Sequence, residues 1–135
     1  MALTSPRERW AWLVGDPELH WIDPSVRARS KGTFARLTEG FTHFDARGPA
    51  QGPVVVLIHG FSVPLYLFDS IVDLLASDGL RVVRYDLFGR GLSDRPEGRY
   101  GEERFDRQLA DLLDALAITA PLHLVGVSMG ASIAT

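Results

Sequence analysis

The spacing of apolar and polar positions changes along this chain, and the changes predict an alternation of strands and helices. Two short β-rich stretches, residues 33–38 and 41–45, flank Glu39-Gly40 and predict an antiparallel hairpin with a tight turn. The run at residues 54–58 is apolar throughout, which is typical of a strand that is covered on both faces in a parallel sheet. A hairpin at a sheet edge is therefore expected to precede a buried strand.

Two helices are predicted on either side of a second inner strand. Pro64 suits the first turn of a helix, and Asp78-Gly79 supplies a C-terminal stop. The apolar positions of this helix are Phe68, Ile71, Val72 and Leu75. Residues 81–85 form the strand, and residues 86–97 form a loop that is rich in glycine and proline. The second helix has an acidic first turn at Glu102 and Glu103. Its apolar stripe is Phe105, Leu109, Leu112, Leu113 and Leu116.

The last predicted strand, residues 122–127, is expected to be buried and leads directly into Ser128. Alternating strands and helices require right-handed crossovers and a mostly parallel sheet with flanking helices. The sequence therefore predicts an α/β fold in residues 31–135, preceded by an N-terminal arm at residues 1–30. The arm contains Trp10 and Trp12, and we expect them to pack on their own domain rather than on a partner or a lipid surface.

Composition narrows the classes of protein and partner. The chain has 135 residues, of which 46% are hydrophobic and 23% charged, as in a soluble globular domain. A net charge of -3 gives no electrostatic case for binding nucleic acid or an anionic membrane. The absence of cysteine excludes disulfides, thiolate metal sites and a cysteine nucleophile. Because there is neither an apolar signal-peptide core nor a run of membrane-spanning length, we expect a cytoplasmic protein without stable membrane insertion.

The strongest chemical motif is Gly126-Val127-Ser128-Met129-Gly130, which matches G-x-S-x-G. It follows a predicted strand at the point where a helix should begin. Small residues on either side of the serine allow a strained strand-to-helix turn, which presents the hydroxyl at the carboxyl edge of the sheet. Ser128 is therefore the candidate nucleophile.

Two further motifs follow the ends of the inner strands. His59-Gly60-Phe61 comes directly after the apolar run, and Asp86 begins a D-x-x-G-x-G-x-S segment after the next strand. With these three motifs in this order, the chain resembles the α/β-hydrolase superfamily, in its serine-nucleophile branch. The resemblance implies that the backbone N–H groups of Phe61 and Met129 form the oxyanion hole. It also implies that His59 braces the oxyanion loop and that Asp86 accepts backbone hydrogen bonds, with a catalytic role less expected.

The superfamily's triad runs in the order serine, acid, histidine, but residues 129–135 contain neither an acid nor a histidine. The resemblance therefore implies that residues 31–135 are the N-terminal half of the domain, truncated just after the nucleophile elbow, with the histidine and acid beyond this chain. Of the other histidines, His123 is expected in the core or on a sheet face, and His20 and His43 have no evident chemical partner in the sequence. Ser62, Ser93 and Thr135 are interpreted as ordinary loop or helix residues.

By the same resemblance, the parent protein is expected to be a serine hydrolase of esters, amides or similar small acyl compounds, with no metal or organic cofactor. The residues expected to help wall an apolar acyl pocket are Phe61, Val63, Leu65 and Tyr66. A serine at position 128 separates the chain from branches with an aspartate nucleophile, namely haloalkane dehalogenases and epoxide hydrolases. The loop at Gly89-Arg90-Gly91 lacks the lysine and hydroxyl pattern of a phosphate-binding loop.

Two alternative functions remain open at this point. The first is a ligand-binding relative that keeps the pocket without turnover, and the second is an inactive truncated product. Residues 1–135 alone are expected to lack esterase activity because the serine has no adjacent base. They are also expected to self-associate or to need the C-terminal half, since the strand at residues 122–127 would have an unpaired apolar edge.

Overall fold

The computed structural model describes residue 22 and residues 24–135. Most of the predicted N-terminal arm, with Trp10, Trp12 and His20, lies outside the described residues. The described part begins with a short helix, α1 (Pro24–Arg29). Arg27 of α1 forms an ion pair with Asp94, at 2.6 Å between Nη1 and Oδ1, and this bond joins the helix to the loop that follows the second inner strand.

The predicted hairpin is confirmed. Strand β1 (Thr33–Leu37) pairs antiparallel with β2 (Gly40–Arg47). Gly40 is required at the turn because its φ is +150° and because an added Cβ would lie 2.8 Å from Asp94 Oδ2. That carboxylate also accepts the N–H of Phe41 at 2.8 Å, so it closes the start of β2.

The strands form one five-stranded sheet in the described part of the chain, in the order β1-β2-β4-β3-β5. Strand β3 (Val54–Ile58) pairs in parallel with β4 (Arg81–Tyr85) on one side and with β5 (Leu122–Gly126) on the other. The hairpin joins through an antiparallel pairing of β2 with β4. The predicted α/β class and its parallel inner strands are therefore confirmed, with an antiparallel edge.

Two helices cover opposite faces of the sheet. A 3₁₀ turn (Leu65–Phe68) leads into α2 (Asp69–Ser77), and α3 (Glu102–Ala115) follows the long loop. Phe68 and Val72 pack on Val55 and Leu57 of β3. On the other face, α3 contributes Phe105, Leu109 and Leu112 to a core with Val54, Val56 and Ile58. No helix among these residues is long and apolar enough to cross a lipid bilayer.

The predicted apolar stripe of the first helix was wrong at Ile71, which is 38% exposed. Phe68, in the 3₁₀ turn before α2, and Val72 and Leu75 of α2 pack against the sheet. Ile71 lies at the edge of this face, directly before Val72 in sequence. The predicted stop is confirmed, because α2 ends at Ser77 and Gly79 has φ +90°.

The prediction that the last strand is buried was wrong for one of its faces. Along β5, partly buried and exposed residues alternate, and Val125 is 44% exposed. His123 and Val125 lie opposite Val55 and Leu57 of β3 in the parallel register. Helix α2 covers those two β3 residues, but no described helix covers this face of β5. The strand is therefore only half-buried.

Candidate active site

Ser128 lies at the tip of a strained turn between β5 and a short helix, α4 (Met129–Ile133). Its backbone has φ +54° and ψ −120°, which an L-residue with a side chain rarely adopts. Its hydroxyl does not cap α4 and forms no hydrogen bond with any described residue, and the residue is exposed. The fold therefore presents an unengaged hydroxyl at the carboxyl end of β5.

The two motif glycines allow backbone segments to approach each other closely at this turn. A Cβ at Gly126 would lie 2.1 Å from the carbonyl oxygen of Gly130. A Cβ at Gly130 would lie 2.1 Å from the carbonyl oxygen of Ile58, at the end of β3. Because both contacts are with backbone atoms, neither can be relieved by a side-chain movement. The G-x-S-x-G pattern is thus a steric requirement of the turn.

The loop after β3 lies against Ser128. A Cβ at Gly60 would be 3.2 Å from Ser128 Cβ and 3.7 Å from its Oγ. The N–H groups of Phe61, which follows Gly60, and of Met129, which follows Ser128, donate to no acceptor among residues 22 and 24–135. Two unengaged backbone donors are therefore available on the segments next to the hydroxyl.

His59 is fully buried and connects this loop to the segment after β4. The N–H of Leu87 donates to His59 Nε2 at 2.9 Å. Since Nε2 is the acceptor, the proton is on Nδ1, which donates to the carbonyl of Gly60 at 2.6 Å. Burial lowers the pKa of His59, so the ring is neutral. With both nitrogens engaged, this imidazole cannot serve as a base for Ser128.

Asp86 is buried and binds three groups from different parts of the chain. Its Oδ1 accepts the N–H of Leu65 at 2.8 Å, at the end of the loop that begins with His59. Its Oδ2 accepts the N–H of Leu92 at 2.9 Å and lies 2.8 Å from His43 Nδ1. His43 therefore has a chemical partner in the fold, although none is evident in the sequence. The pairing of β2 with β4 brings the two residues together.

Two further polar residues of this network were missed from the sequence. Ser93, read as an ordinary loop residue, is fully buried. Its Oγ accepts the N–H of His43 at 2.9 Å and donates to the carbonyl of Asp86 at 2.6 Å. Gln108 accepts the N–H of Phe88 at 2.9 Å and donates to the Asp86 carbonyl at 3.0 Å. A signal existed for Gln108, since position 108 falls on the apolar stripe of its helix.

Arg90 contacts the same loop from the other side. Its Nε–H donates to the carbonyl of Phe61 at 3.2 Å, and its guanidinium carbon lies 4.5 Å from the centroid of the Phe61 ring. Its Nη1 donates to the carbonyl of Phe88 at 3.3 Å. The loop after β4 thus holds residues 59–65 at three points: through Leu87, through Asp86 and through Arg90.

The residues expected to wall an acyl pocket do not line the cavity that lies beside Met129. Leu65 is buried, whereas Phe61 and Tyr66 are 53% and 59% exposed. Val63 is partly buried. This cavity, of about 800 Å³, opens between α4 and the start of α3. It is lined in part by Tyr100, Phe105 and Ile133.

The remaining candidates lie away from this arrangement. His123 is exposed on the uncovered face of β5, and Ser62 is exposed in the loop. Thr135 donates its hydroxyl to the carbonyl of Ser132 at 3.0 Å. Within the described part of the chain, no group of three or more histidine and carboxylate side chains is placed to hold a metal ion.

Comparison with known proteins gives consistent matches. The family model described as alpha/beta hydrolase fold matches residues 53–135. A haloalkane dehalogenase from Mycobacterium marinum is 37% identical over 93 residues, which are 68% of this chain and 29% of that protein.

Two solved structures resemble the chain at similar levels. The enol-lactonase from Burkholderia xenovorans LB400 has a TM-score of 0.70 and 30% identity, covering 75% of this chain and 39% of that one. An epoxide hydrolase from Vigna radiata has a TM-score of 0.70 and 28% identity, covering 76% of this chain and 33% of that one. This chain therefore spans less than two-fifths of the length of each of these relatives.

Proposed function

Because the chain belongs to the alpha/beta hydrolase fold family, we propose that the whole protein is a serine hydrolase of esters or similar acyl compounds. The observation that carries this proposal is the backbone of Ser128, at φ +54° and ψ −120°, with an exposed and unengaged hydroxyl. A strained residue is maintained only where the surrounding structure enforces it, and such residues cluster at active sites. The relatives described above are themselves hydrolytic enzymes by name.

In the proposed reaction, Ser128 Oγ attacks the acyl carbonyl and forms a tetrahedral intermediate. The N–H groups of Phe61 and Met129 would stabilise its oxyanion, and loss of one such donor lowers kcat by about 10²–10³-fold. The alcohol or amine then leaves, and water hydrolyses the acyl-enzyme. We propose that the histidine and acid that activate Ser128 come from outside residues 1–135. Of the three described histidines, His59 is engaged at both nitrogens, His43 is paired with Asp86, and His123 is on the uncovered face of β5.

The identity of the nucleophile supports acyl chemistry over the chemistry of the dehalogenase and epoxide hydrolase relatives. A serine that displaced a halide or opened an epoxide would form an ether, which water does not readily cleave. A carboxylate nucleophile would form an ester in the same reaction, and an ester can be hydrolysed. A serine that attacks an acyl group also forms an ester. Of these three reactions, Ser128 therefore completes a turnover cycle only in acyl transfer.

The test uses the complete protein and short-chain 4-nitrophenyl esters, with Ser128→Ala and Ser132→Ala as a matched pair of variants. We expect Ser128→Ala to lower kcat by at least about 10³-fold, whereas Ser132→Ala, at an exposed serine of α4, keeps its activity. Mass spectrometry after fluorophosphonate treatment should place the label on Ser128. A label on another serine would contradict the assignment. A folded protein with neither label nor turnover would favour a ligand-binding relative.

A further inference from the structure

Arg90 is a partly buried cation with no carboxylate partner among the described residues. Arg27, Arg84 and Arg104 pair with Asp94, Asp45 and Glu39, whereas the partly buried Arg81 and Arg95, like Arg90, donate to backbone carbonyls and to no described carboxylate. Removing a guanidinium from water without a counter-charge is unfavourable. Arg90 therefore has no counter-charge in the described part of the chain, and an anionic ligand would supply one.

The position of Arg90 relates this charge to the candidate site. Its Nε–H is bound to the carbonyl of Phe61, and Phe61 also carries one of the two unengaged backbone donors. The Phe61 ring and the Phe88 carbonyl fix the plane of the guanidinium. No described residue accepts from Nη2. A fixed guanidinium with an open edge is suited to bidentate binding of a carboxylate.

Tyr100 supplies a second uncompensated group beside Arg90. Its hydroxyl is buried and has no hydrogen-bond partner in the described part of the chain. The centroid of its ring lies 6.0 Å from the guanidinium carbon of Arg90. Burial raises the pKa of Tyr100, so the hydroxyl keeps its proton and can donate it to an anion. Tyr100 also lines the cavity beside Met129.

We propose that Arg90, assisted by Tyr100, binds a carboxylate group of the substrate. The substrates would then be acyl compounds, such as esters or lactones, that carry a free carboxylate near the reacting carbonyl. This inference rests on the proposed serine-hydrolase function. It adds a substrate class to that function, because it assigns a role to a charge that the acyl-transfer steps do not use.

The experiment compares the hydrolysis of three esters by the complete protein. 4-Nitrophenyl valerate is neutral. 4-Nitrophenyl glutarate carries a carboxylate on the acyl chain, and 3-carboxy-4-nitrophenyl valerate carries a carboxylate on the leaving group. We expect one anionic ester to exceed the neutral ester by about tenfold or more in kcat/KM. Arg90→Gln should bring that ratio close to one. It should also slow all three esters, because the contact with Phe61 is lost, so the ratio is the informative quantity.

Arg99→Gln is the matched control, since Arg99 is exposed, lies next to Tyr100 in sequence and carries the same charge as Arg90. We expect it to leave the ratio within about twofold, which would exclude a general effect of positive charge. Tyr100→Phe should lower the ratio less than Arg90→Gln. If thermal unfolding shows that Arg90→Gln does not fold, Arg90→Lys replaces it, and its ratio should fall because an ammonium cannot bind bidentately.

The outcomes separate this inference from the function on which it rests. Hydrolysis of the neutral ester that depends on Ser128, without preference for either anionic ester, overturns the carboxylate site and leaves the serine hydrolase in place. A preference that persists in the Arg90 variants also overturns it. If no ester is hydrolysed by the folded protein, the proposed function fails, and the carboxylate site fails with it.

Discussion

At the scale of single residues, His59 acts as a neutral connector whose two ring nitrogens have opposite roles. Nε2 accepts from Leu87 and Nδ1 donates to Gly60, so the bonds require one tautomer. Protonation would place a hydrogen on Nε2 and oppose the N–H of Leu87. Burial is the largest effect and lowers the pKa of His59; the Gly60 carbonyl and Asp86 act in the opposite sense, and Arg90 lowers it slightly further.

This arrangement predicts how the free energy of unfolding of the complete protein depends on pH. The pKa of His59 is lower in the folded protein than in the unfolded chain. Between these two pKa values, the unfolded chain binds a proton at His59 that the folded protein does not bind. The contribution to stability is fully present above the unfolded pKa of about 6.5 and decreases as the pH falls below it, by up to about 1.4 kcal/mol per pH unit. Denaturant unfolding between pH 7.5 and 5 should show this slope. His59→Gln should be less stable at pH 7.5 and have a shallower slope, whereas equal slopes would contradict the prediction.

Residues were predictable where the signal is local. Ser128 and its two glycines form one contiguous motif, so the strained turn could be inferred without any tertiary contact. His43, Ser93 and Asp86 form a network only because β2 pairs with β4, and His43 and Asp86 are 43 residues apart. No spacing rule specifies that pairing. The same holds for Arg84, whose partners Asp45 and Asp69 are on other elements.

At the scale of elements, Gln108 joins α3 to the sheet and to the loop after β4. Its Nε2 donates to Thr42 Oγ1 at 2.9 Å on β2, and its Oε1 accepts from Phe88. Gln108→Ala would leave these buried groups without partners, and each buried group that loses its partner costs about 1–3 kcal/mol.

We expect Gln108→Ala to lower the free energy of unfolding by about 2–4 kcal/mol. The control is Gln51→Ala, the same change at an exposed glutamine in the loop before β3, which should change stability by less than about 0.5 kcal/mol. Urea unfolding of both variants measures the difference. Equal effects would show that water replaces the side chain of Gln108 at no cost.

Elements were predicted well where the pattern covered a whole segment, as in β3, β4 and α3. The two errors, at Ile71 and along β5, have a common physical cause. Both errors concern which element packs against one face of a strand or helix. An apolar sequence predicts that a face is buried, but it does not predict which helix lies over that face. Strand β5 is as apolar as a buried strand, but α2 lies over β2, β3 and β4.

At the scale of the whole molecule, β5 is the least covered of the three parallel strands β3, β4 and β5. Among described residues it pairs with β3 alone, and Val125 and Val127 are 44% and 43% exposed. An open strand edge next to exposed apolar side chains is a template for another chain. We therefore expect residues 1–135, produced alone, to self-associate.

Size-exclusion chromatography with light scattering measures this association. Val125→Lys should reduce it, because a charge on an edge strand opposes pairing. Leu74→Lys is the control, since Leu74 is 62% exposed on α2, away from the edge. A stable monomer with cooperative thermal unfolding would contradict the expectation.

The backbone conformation of Ser128, on which the proposed catalysis depends, lowers the stability of the fold. A φ of +54° with ψ −120° is tolerated by glycine, whereas a side chain there stores about 1–3 kcal/mol. The free energy of unfolding of Ser128→Gly should therefore exceed that of Ser128→Ala by about 1 kcal/mol, after allowance for the larger conformational entropy of glycine in the unfolded chain. Ser128→Gly should accordingly unfold at a higher temperature. Differential scanning calorimetry of the two inactive variants isolates this difference, and equal stability would show that the turn is unstrained. In a lineage released from selection for catalysis, mutation would then drift toward glycine at this position. A serine that persists there would mark a protein that still uses it.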